Sequence, residues 1–127
     1  MNNTLNDSIR VSARAQYLEH QSSPSEERYV FVYTISIENL GRKTTRILTR
    51  HWLITDSDGG VHEVHGDGVI GEQPYIAPGA VHTYSSGTVI KTPVGTMQGT
   101  YGMLSNDKDA FDATIPVFRL AVPQVLN

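Results

Sequence analysis

The sequence has no cysteine among its 127 residues. A chain without thiols has no disulfide framework, no thiolate zinc site, no iron–sulfur cluster and no cysteine nucleophile. Positive charge is also scarce, because 10 Lys and Arg stand against 13 Asp and Glu and the net charge is -3. Since binding to nucleic-acid phosphates depends on clustered positive charge, we expect no nucleic-acid partner.

Long apolar stretches are missing as well. No run approaches the ~20 apolar residues that a membrane-spanning helix needs, so we expect no membrane insertion. Residues 1–8 (MNNTLNDS) contain neither a basic segment nor an apolar core, and the sequence therefore predicts no secretory signal peptide. We expect a cytoplasmic protein that folds as a single domain over residues 1–127, with residues 1–8 as a disordered N-terminal tail.

Helical periodicity is absent too, since no window repeats apolar residues at i, i+3, i+4 and i+7. Alternation with a period of two predicts strands instead, at residues 9–17, 28–39, 45–55, 61–65, 81–90, 95–103 and 113–122. Residues 66–79 are dense in glycine and proline and show no strand character. This pattern predicts an all-β fold, an immunoglobulin- or fibronectin type III-like β-sandwich of seven to eight antiparallel strands.

The third predicted strand carries the single tryptophan of the chain. We expect Trp52 to be buried, because Leu48 and Ile54 share its face. Its expected partner is the apolar face of the second strand, formed by Tyr29, Phe31, Tyr33, Ile35 and Ile37. Arg50 interrupts the Trp52 face, so either both faces of this strand are partly covered or a bulge shifts its register.

A literal G-x-G-x-x-G lies in the centre of the chain. It opens the segment Gly66, Asp67, Gly68, Val69, Ile70, Gly71, Glu72, Gln73 and Pro74. In a dinucleotide-binding fold such glycines precede a helix whose N-terminus holds the pyrophosphate. Prolines follow here, so we expect no helix, and the two carboxylates have the wrong charge for an anion. We interpret the segment as a structural glycine loop or, alternatively, as a backbone nest for phosphate.

Histidine and carboxylate residues invite a metal interpretation. His62 and His65 fall on opposite faces of a strand, so their spacing does not chelate an ion. Glu63, His65 and Asp67 share one face and are the candidate ligands, suited to a hard or borderline divalent ion. The simpler interpretation is a polar sheet face, and on it the sequence predicts no bound metal and no other cofactor.

Two further patterns carry no predicted chemistry. A basic group near Trp52 lacks the aromatic pattern of RNA-binding strands and is interpreted as a charged strand and turn; its members are Arg42, Lys43, Arg46 and Arg50. The segment Tyr84–Gly87 contains two serines but lacks the leading glycine of a nucleophile elbow. We assign no catalytic residue and expect no enzymatic activity.

Several segments together resemble the ApaG (CorD) family, across essentially the whole chain. They are His51–Asp56, Gly66–Pro74, Pro78-Gly79, Tyr84–Gly87 and Thr92–Tyr101. The resemblance implies a fibronectin-type β-sandwich and a small bacterial cytoplasmic protein of poorly defined activity. It also implies links to cobalt resistance, magnesium transport and diadenosine tetraphosphate metabolism. Related eukaryotic domains look like protein-interaction modules, and the family offers no catalytic residue to carry over.

Two hypotheses for function follow. The first is a non-enzymatic binding module that presents the Gly66–Pro74 loop and the neighbouring sheet face to an unidentified protein partner. The second is a sensor or carrier that binds a polyphosphate nucleotide or a divalent cation weakly at the same loop. Val69 and Ile70 bear on this choice. If exposed, they would form an apolar anchor for a partner; if buried, they would pin the loop to the sheet.

Overall fold

The computed structural model describes residues 8–123, which form eight strands and two short 3-10 helices. The helices are Glu19–Gln21 and Pro24–Glu26. The strands are β1 (Ile9–Tyr17), β2 (Tyr29–Asn39), β3 (Thr45–Asp56), β4 (Val61–Asp67), β5 (Tyr75–Ile76), β6 (Val81–Ile90), β7 (Val94–Ser105) and β8 (Ala110–Ala121). The predicted all-β fold is confirmed, and the predicted strands are all present with small shifts at their ends.

The strands form two antiparallel sheets. One sheet has the order β1-β2-β6 and the other β4-β3-β7-β8, with β5 paired to the start of β3. β1 lies against β8 and closes one side of the sandwich, which leaves β6 and β4 as edge strands on the other side. Because β4 joins β3 rather than β6, this is the fibronectin type III arrangement of a β-sandwich.

The core lies between the two sheets. Alternate residues of β2 point into it, and Phe31, Ile35 and Ile37 have no exposed surface. Trp52 is 2% exposed, and its ring centroid lies 5.4 Å from that of Tyr33. The predicted burial of Trp52 against the face of β2 is therefore confirmed.

A bulge in β3 settles the register around Arg50. The pairing of β3 with β7 shifts between Ile47 and Thr49. Ile47 and Trp52 are both buried although an odd number of positions separates them, which a regular strand does not allow. Arg50 has the same parity as Trp52, so it lies on the inner face of β3, beneath the segment that follows β4.

The segment at residues 66–79 is more regular than expected. β4 continues to Asp67, and β5 returns to pair with β3. Val69 and Glu72 exchange two backbone hydrogen bonds of 2.8 and 3.0 Å. The prediction that this region lacks strand character is therefore wrong. Its strand pairings are only one or two residues long, so the sequence shows no alternation that would reveal them.

A buried asparagine fixes the chain where β2 ends. Asn39 is fully buried, and its side-chain amide donates to the carbonyl oxygens of Lys43 and Ile76 at 2.8 and 2.9 Å. Its Oδ1 accepts from the N–H of Gly41 at 2.9 Å. The backbone N–H of Asn39 donates to the carbonyl of Ala80. This Asn39 junction ties the β2–β3 turn to β5 and to the turn before β6.

The predicted N-terminal tail falls almost entirely outside the described residues. Ser8 is the one residue of it that the structure describes, and its carbonyl accepts a hydrogen bond of 2.6 Å from the N–H of Leu40. Within residues 8–123, no helix has the length and apolar character that crossing a membrane requires.

Candidate functional site

The glycine-rich segment at residues 66–74 forms a tight hairpin, called the glycine hairpin below. Ile70 and Gly71 occupy its two central turn positions with φ of 48° and 73°. Two successive positive φ angles are typical of a type I′ turn, the usual two-residue connection of a β-hairpin. Gly68 has φ 61°, and a Cβ there would lie 1.9 Å from the carbonyl oxygen of Glu72. The motif therefore works as turn chemistry.

Two arginines of β3 hold the glycine hairpin against the sheet. Arg50 Nη1 donates to the carbonyl oxygens of Asp67 and Gly68 at 2.9 and 3.1 Å. Arg46 Nε donates to the carbonyl oxygen of Gln73 at 2.9 Å. The basic group recognised in the sequence is thus divided, because its arginines at 46 and 50 brace the hairpin from β3.

Lys43, another member of the basic group, has its partner away from the glycine hairpin. Lys43 forms an ion pair with Asp107, and this carboxylate holds the pKa of the Lys43 ammonium above its ordinary value through a hydrogen bond and its charge. The ion pair is exposed on both sides, so it contributes little to stability. Lys43 is thus paired with an acidic residue and takes no part in holding the hairpin.

Three N–H groups of the hairpin backbone that could have contacted a phosphate already donate within the protein. The N–H of Gly68 donates to the carbonyl of Leu48, and those of Val69 and Glu72 donate to each other's carbonyls. A nest needs such N–H groups to be free and convergent. The adjoining cleft, of about 470 Å³, is lined by Arg46 together with the acidic residues Asp67 and Glu72. These contacts favour the structural interpretation of the glycine motif.

The two apolar residues of the hairpin have opposite environments. Val69 is 1% exposed and packs with the core, whereas Ile70 is 57% exposed. A β-branched residue at positive φ is a conformational outlier, because its branched side chain crowds the backbone there. The sequence left open whether these two residues are buried or exposed. Val69 is buried and holds the hairpin to the sheet, whereas Ile70 is exposed to solvent.

A small cavity opens beside Ile70. It has a volume of about 130 Å³, and Tyr33, Arg50, Tyr84 and Ser86 contribute to its walls. The hydrogen bonds of Arg50 use Nη1, which leaves Nε and Nη2 without a hydrogen-bond partner in the described part of the chain. This Arg50 pocket joins the hairpin to the β6 edge, from which Tyr84 and Ser86 come.

Tyr84, which lines the pocket, is paired with a second tyrosine in the core. The hydroxyls of Tyr84 and Tyr101 form a hydrogen bond, and Tyr101 is fully buried. Burial raises the pKa of Tyr84 to about 12, although the hydrogen bond to Tyr101 and the charge of Arg50 act in the opposite direction. Burial likewise raises the pKa of Tyr101. Both phenols are therefore neutral hydrogen-bonding groups at physiological pH.

Two histidines and a glutamate meet on the outer face of β3 and β4. His51 and His65 are directly paired across the two strands, and their rings are stacked with centroids 4.2 Å apart and planes 8° apart. Their Nε2 atoms lie 2.6 and 3.2 Å from Oε2 of Glu63. These hydrogen bonds, first from His51 and then from His65, lower the pKa of Glu63. The three side chains are called the His51–Glu63–His65 cluster below.

The predicted metal ligands are thus only partly brought together. Glu63 and His65 meet as expected, but Asp67 is not a member of the cluster and His51 replaces it. The sequence did not suggest His51 because the candidate ligands were chosen from one strand, β4, whereas His51 lies on the neighbouring strand β3. The hairpin turn at Ser57–Gly60 was the available signal, since the register of β3 on β4 follows from the length of that turn.

Comparison with known proteins gives the family. A family model described as the ApaG domain matches residues 19–105. The Protein ApaG of Pseudomonas paraeruginosa is 58% identical over 119 residues, covering 94% of each chain. A structural-genomics X-ray structure is 51% identical with a TM-score of 0.92, covering 97% of this chain and 93% of that one. A Bordetella pertussis crystal structure, described as an ApaA protein, is 43% identical with a TM-score of 0.89, covering 91% of this chain and 94% of that one. The chain therefore belongs to the ApaG domain family.

Proposed function

We propose that this protein is a non-enzymatic, cytoplasmic protein-binding module. Its partner surface consists of the glycine hairpin and the adjacent β6 edge, and its partner is an extended segment of another protein that carries an acidic side chain. The observation that supports this proposal most directly is Ile70, an apolar residue that is 57% exposed at φ 48°.

Ile70 costs stability in the free protein. Holding a non-glycine residue in a sparsely populated backbone region costs about 1–3 kcal/mol. Most of its side chain is in solvent, so packing within the free protein offsets little of this cost. Such strain persists at functional sites, and an exposed aliphatic side chain beside Asp67 and Glu72 has the composition of an interface: an apolar anchor with a polar rim.

The β6 edge supplies backbone hydrogen-bonding groups beside that anchor. β6 is 10 residues long, and within residues 8–123 its pairing is with β2 alone. It contains no Asp, Glu, Lys, Arg or Pro, which are the residues that usually protect an edge from added strands. Val81 and Val89 are exposed along it. A long, uncharged edge can accept an extended peptide as an additional strand.

The Arg50 pocket indicates the chemistry of that peptide. In strand addition the main chain gives affinity, and pockets for alternate side chains give specificity. A side chain of the added strand that enters this pocket meets walls formed by Arg50, Tyr84 and Ser86, and the hydrogen bonds of Arg50 within the described residues use only its Nη1. A carboxylate matches this guanidinium, since Arg prefers bidentate hydrogen bonds to planar anions.

A polyphosphate ligand at the same hairpin is the weaker alternative, because the backbone N–H groups of Gly68, Val69 and Glu72 already donate within the protein and two carboxylates line the adjoining cleft. The links to cobalt resistance, magnesium transport and diadenosine tetraphosphate metabolism that the family resemblance implies are compatible with a module that acts through a partner. They require no catalytic group on this chain.

The test selects peptides from a random displayed library on the purified protein. We expect enriched sequences to contain Asp or Glu and to shift the backbone amide NMR signals of β6 and of the hairpin. Ile70→Asn keeps a turn sequence that favours type I′ geometry and should abolish this binding. Val117→Asn changes a residue of equal exposure, 58%, on β8 and should leave it intact.

Two results would overturn the proposal. Selected peptides whose binding shifts amides away from β6, or survives Ile70→Asn, would place the partner surface elsewhere. Concentration-dependent dimerisation through β6, measured by sedimentation, would show that the edge is occupied by a second copy of the chain.

A further inference from the structure

We infer that the His51–Glu63–His65 cluster is a binding site for a borderline divalent transition-metal ion of the Zn²⁺ or Ni²⁺ class. The donor atoms of the three side chains all lie within 4.8 Å of one another. This site is distinct from the partner surface proposed above: it occupies the outer face of β3 and β4, whereas Arg50 and its pocket lie on the inner face of β3.

The strand register builds this site. His51 and His65 are directly opposite each other, and such pairs have Cβ atoms about 4.5–5.5 Å apart. Both Nε2 atoms lie against the same oxygen of Glu63, so the two stacked rings present these nitrogens on one side of the pair. Glu63 is two positions before His65 on the same face of β4, and one carboxylate oxygen already contacts both imidazoles. The three donor atoms are close together because the pairing of β3 with β4 places the three residues side by side on one face of the sheet.

The spacing suits a tetrahedral ion. Zn–N distances near 2.0–2.1 Å and Zn–O distances near 2.0–2.2 Å put neighbouring ligand atoms about 3.3 Å apart. The distance of 3.2 Å between Glu63 Oε2 and His65 Nε2 is close to this value, and the distance of 2.6 Å to His51 Nε2 is shorter, so His51 and Glu63 must move apart to admit the ion. Small rotations of the three side chains would replace the two hydrogen bonds of Glu63 with His51 and His65 by three bonds to the ion. The cluster supplies three ligands, so water completes the coordination as in open zinc sites.

The donor set also determines which ions bind. Two imidazoles and one carboxylate suit Zn²⁺, Ni²⁺, Co²⁺ and Cu²⁺, whereas Mg²⁺ and Ca²⁺ prefer ligand sets made entirely of oxygen. Across β3, the β7 partners of His51 and Leu53 are Thr100 and Gln98, which are neutral and present no cation that would repel the ion. We expect affinity to follow the Irving–Williams order, with Co²⁺ weaker than Ni²⁺ and Ni²⁺ weaker than Cu²⁺.

Binding at this site would clamp an edge strand. β4 is exposed at six of its seven positions, and its pairing within the described residues is with β3. A bound ion joins His51 of β3 to Glu63 and His65 of β4, immediately before the glycine hairpin begins at Gly66. Because the folded chain aligns these ligands and the unfolded chain does not, the ion stabilises the folded state by mass action.

The experiment titrates the tag-free full chain with ZnCl₂, NiCl₂ and MgCl₂ by calorimetry, and follows the imidazole NMR signals with Zn²⁺. We expect one Zn²⁺ or Ni²⁺ per chain, perturbation of His51 and His65, an increase of the thermal midpoint with Zn²⁺, and no binding of Mg²⁺. His51→Ala, His65→Ala and Glu63→Gln should each weaken binding at least tenfold.

His62→Ala is the matched control, since His62 is adjacent to Glu63 on β4 but faces the opposite side. Asp67→Asn tests the ligand that the sequence suggested and the structure does not bring in. Both should bind as the wild type does. The inference is overturned if the wild type binds no Zn²⁺ or Ni²⁺, if either control weakens binding as much as His51→Ala, or if Mg²⁺ competes at equal concentration.

Discussion

The Asn39 junction fastens the β2–β3 turn to β5 and the glycine hairpin is fastened to β3, but the two regions bury and expose opposite kinds of side chain. At the junction a polar side chain is fully buried, and its amide nitrogen and oxygen are all hydrogen-bonded to backbone groups. At the hairpin an apolar side chain is 57% exposed on a backbone with positive φ. The first arrangement is what stability requires, and the second is costly unless something binds there.

The junction should show the largest effect on stability. Asn39→Ala leaves the carbonyls of Lys43 and Ile76 and the N–H of Gly41 without their partner. Because unsatisfied buried groups cost about 1–3 kcal/mol each before relaxation, we expect a loss of about 2–4 kcal/mol in the free energy of unfolding, measured by urea denaturation. Asn106→Ala, at an exposed position, should change it by less than about 0.5 kcal/mol. Equal effects of the two variants would remove the contrast.

The tyrosines beneath the hairpin should make stability fall at alkaline pH. The folded-state pKa of Tyr84 is raised to about 12, so the folded protein keeps a proton that the unfolded chain loses above about pH 10. This contribution is full below about pH 10 and is lost as the pH rises through 12. The expected slope is up to about 1.4 kcal/mol per pH unit for each such tyrosine.

Denaturation at a series of pH values, with phenolate absorbance as a second readout, checks this effect. Tyr84→Phe should flatten the alkaline loss, whereas Tyr75→Phe should not, because Tyr75 is 66% exposed. A stability that is unchanged up to pH 12 would show that the underside of the hairpin is more open to solvent than the Asn39 junction.

The hairpin tip should show the smallest effect, with the opposite sign. Ile70→Asn places Asn-Gly, the preferred pair of a type I′ turn, at the two positions with positive φ. We expect it to raise the free energy of unfolding by about 1 kcal/mol, measured by the same urea denaturation. A loss of stability would mean that Ile70 contributes packing that its exposure does not reveal, and that the hairpin is scaffold like the junction.

The sequence predicted the fold because period-two alternation survives in long strands. It predicted the burial of Trp52 from Leu48 and Ile54; Ile54 does pack against the core, whereas Leu48 lies at the bulge and gave no valid support. The sequence could not decide whether a bulge occurs near Arg50. A bulge shifts the register by one residue and so exchanges the two faces of the strand, but it leaves no mark in the amino-acid composition. The glycine hairpin was missed since its ladder is a single pair, Val69 and Glu72.

The prediction of the metal ligands left out His51, because that residue joins the cluster only in one pairing register of β3 and β4. Asp56 and Gly60 are joined by a backbone hydrogen bond, so three residues form the loop, and Gly59 has φ 87° as a three-residue hairpin loop requires. A loop one residue longer would place Gly66 opposite His51. The sequence motif at the turn permits both lengths, and the choice between them decides whether His51 and His65 meet.

The contact between β1 and β8 has a consequence for how the molecule forms. The first described strand lies against the last one, so the sandwich closes only after β8 has been synthesised. Pairings between distant parts of a chain slow folding, and sandwiches of this kind reach the native state in milliseconds to seconds. Until then the apolar face of β2 and the uncharged edge of β6 are open together. We expect the newly made chain to be most prone to aggregation in that interval.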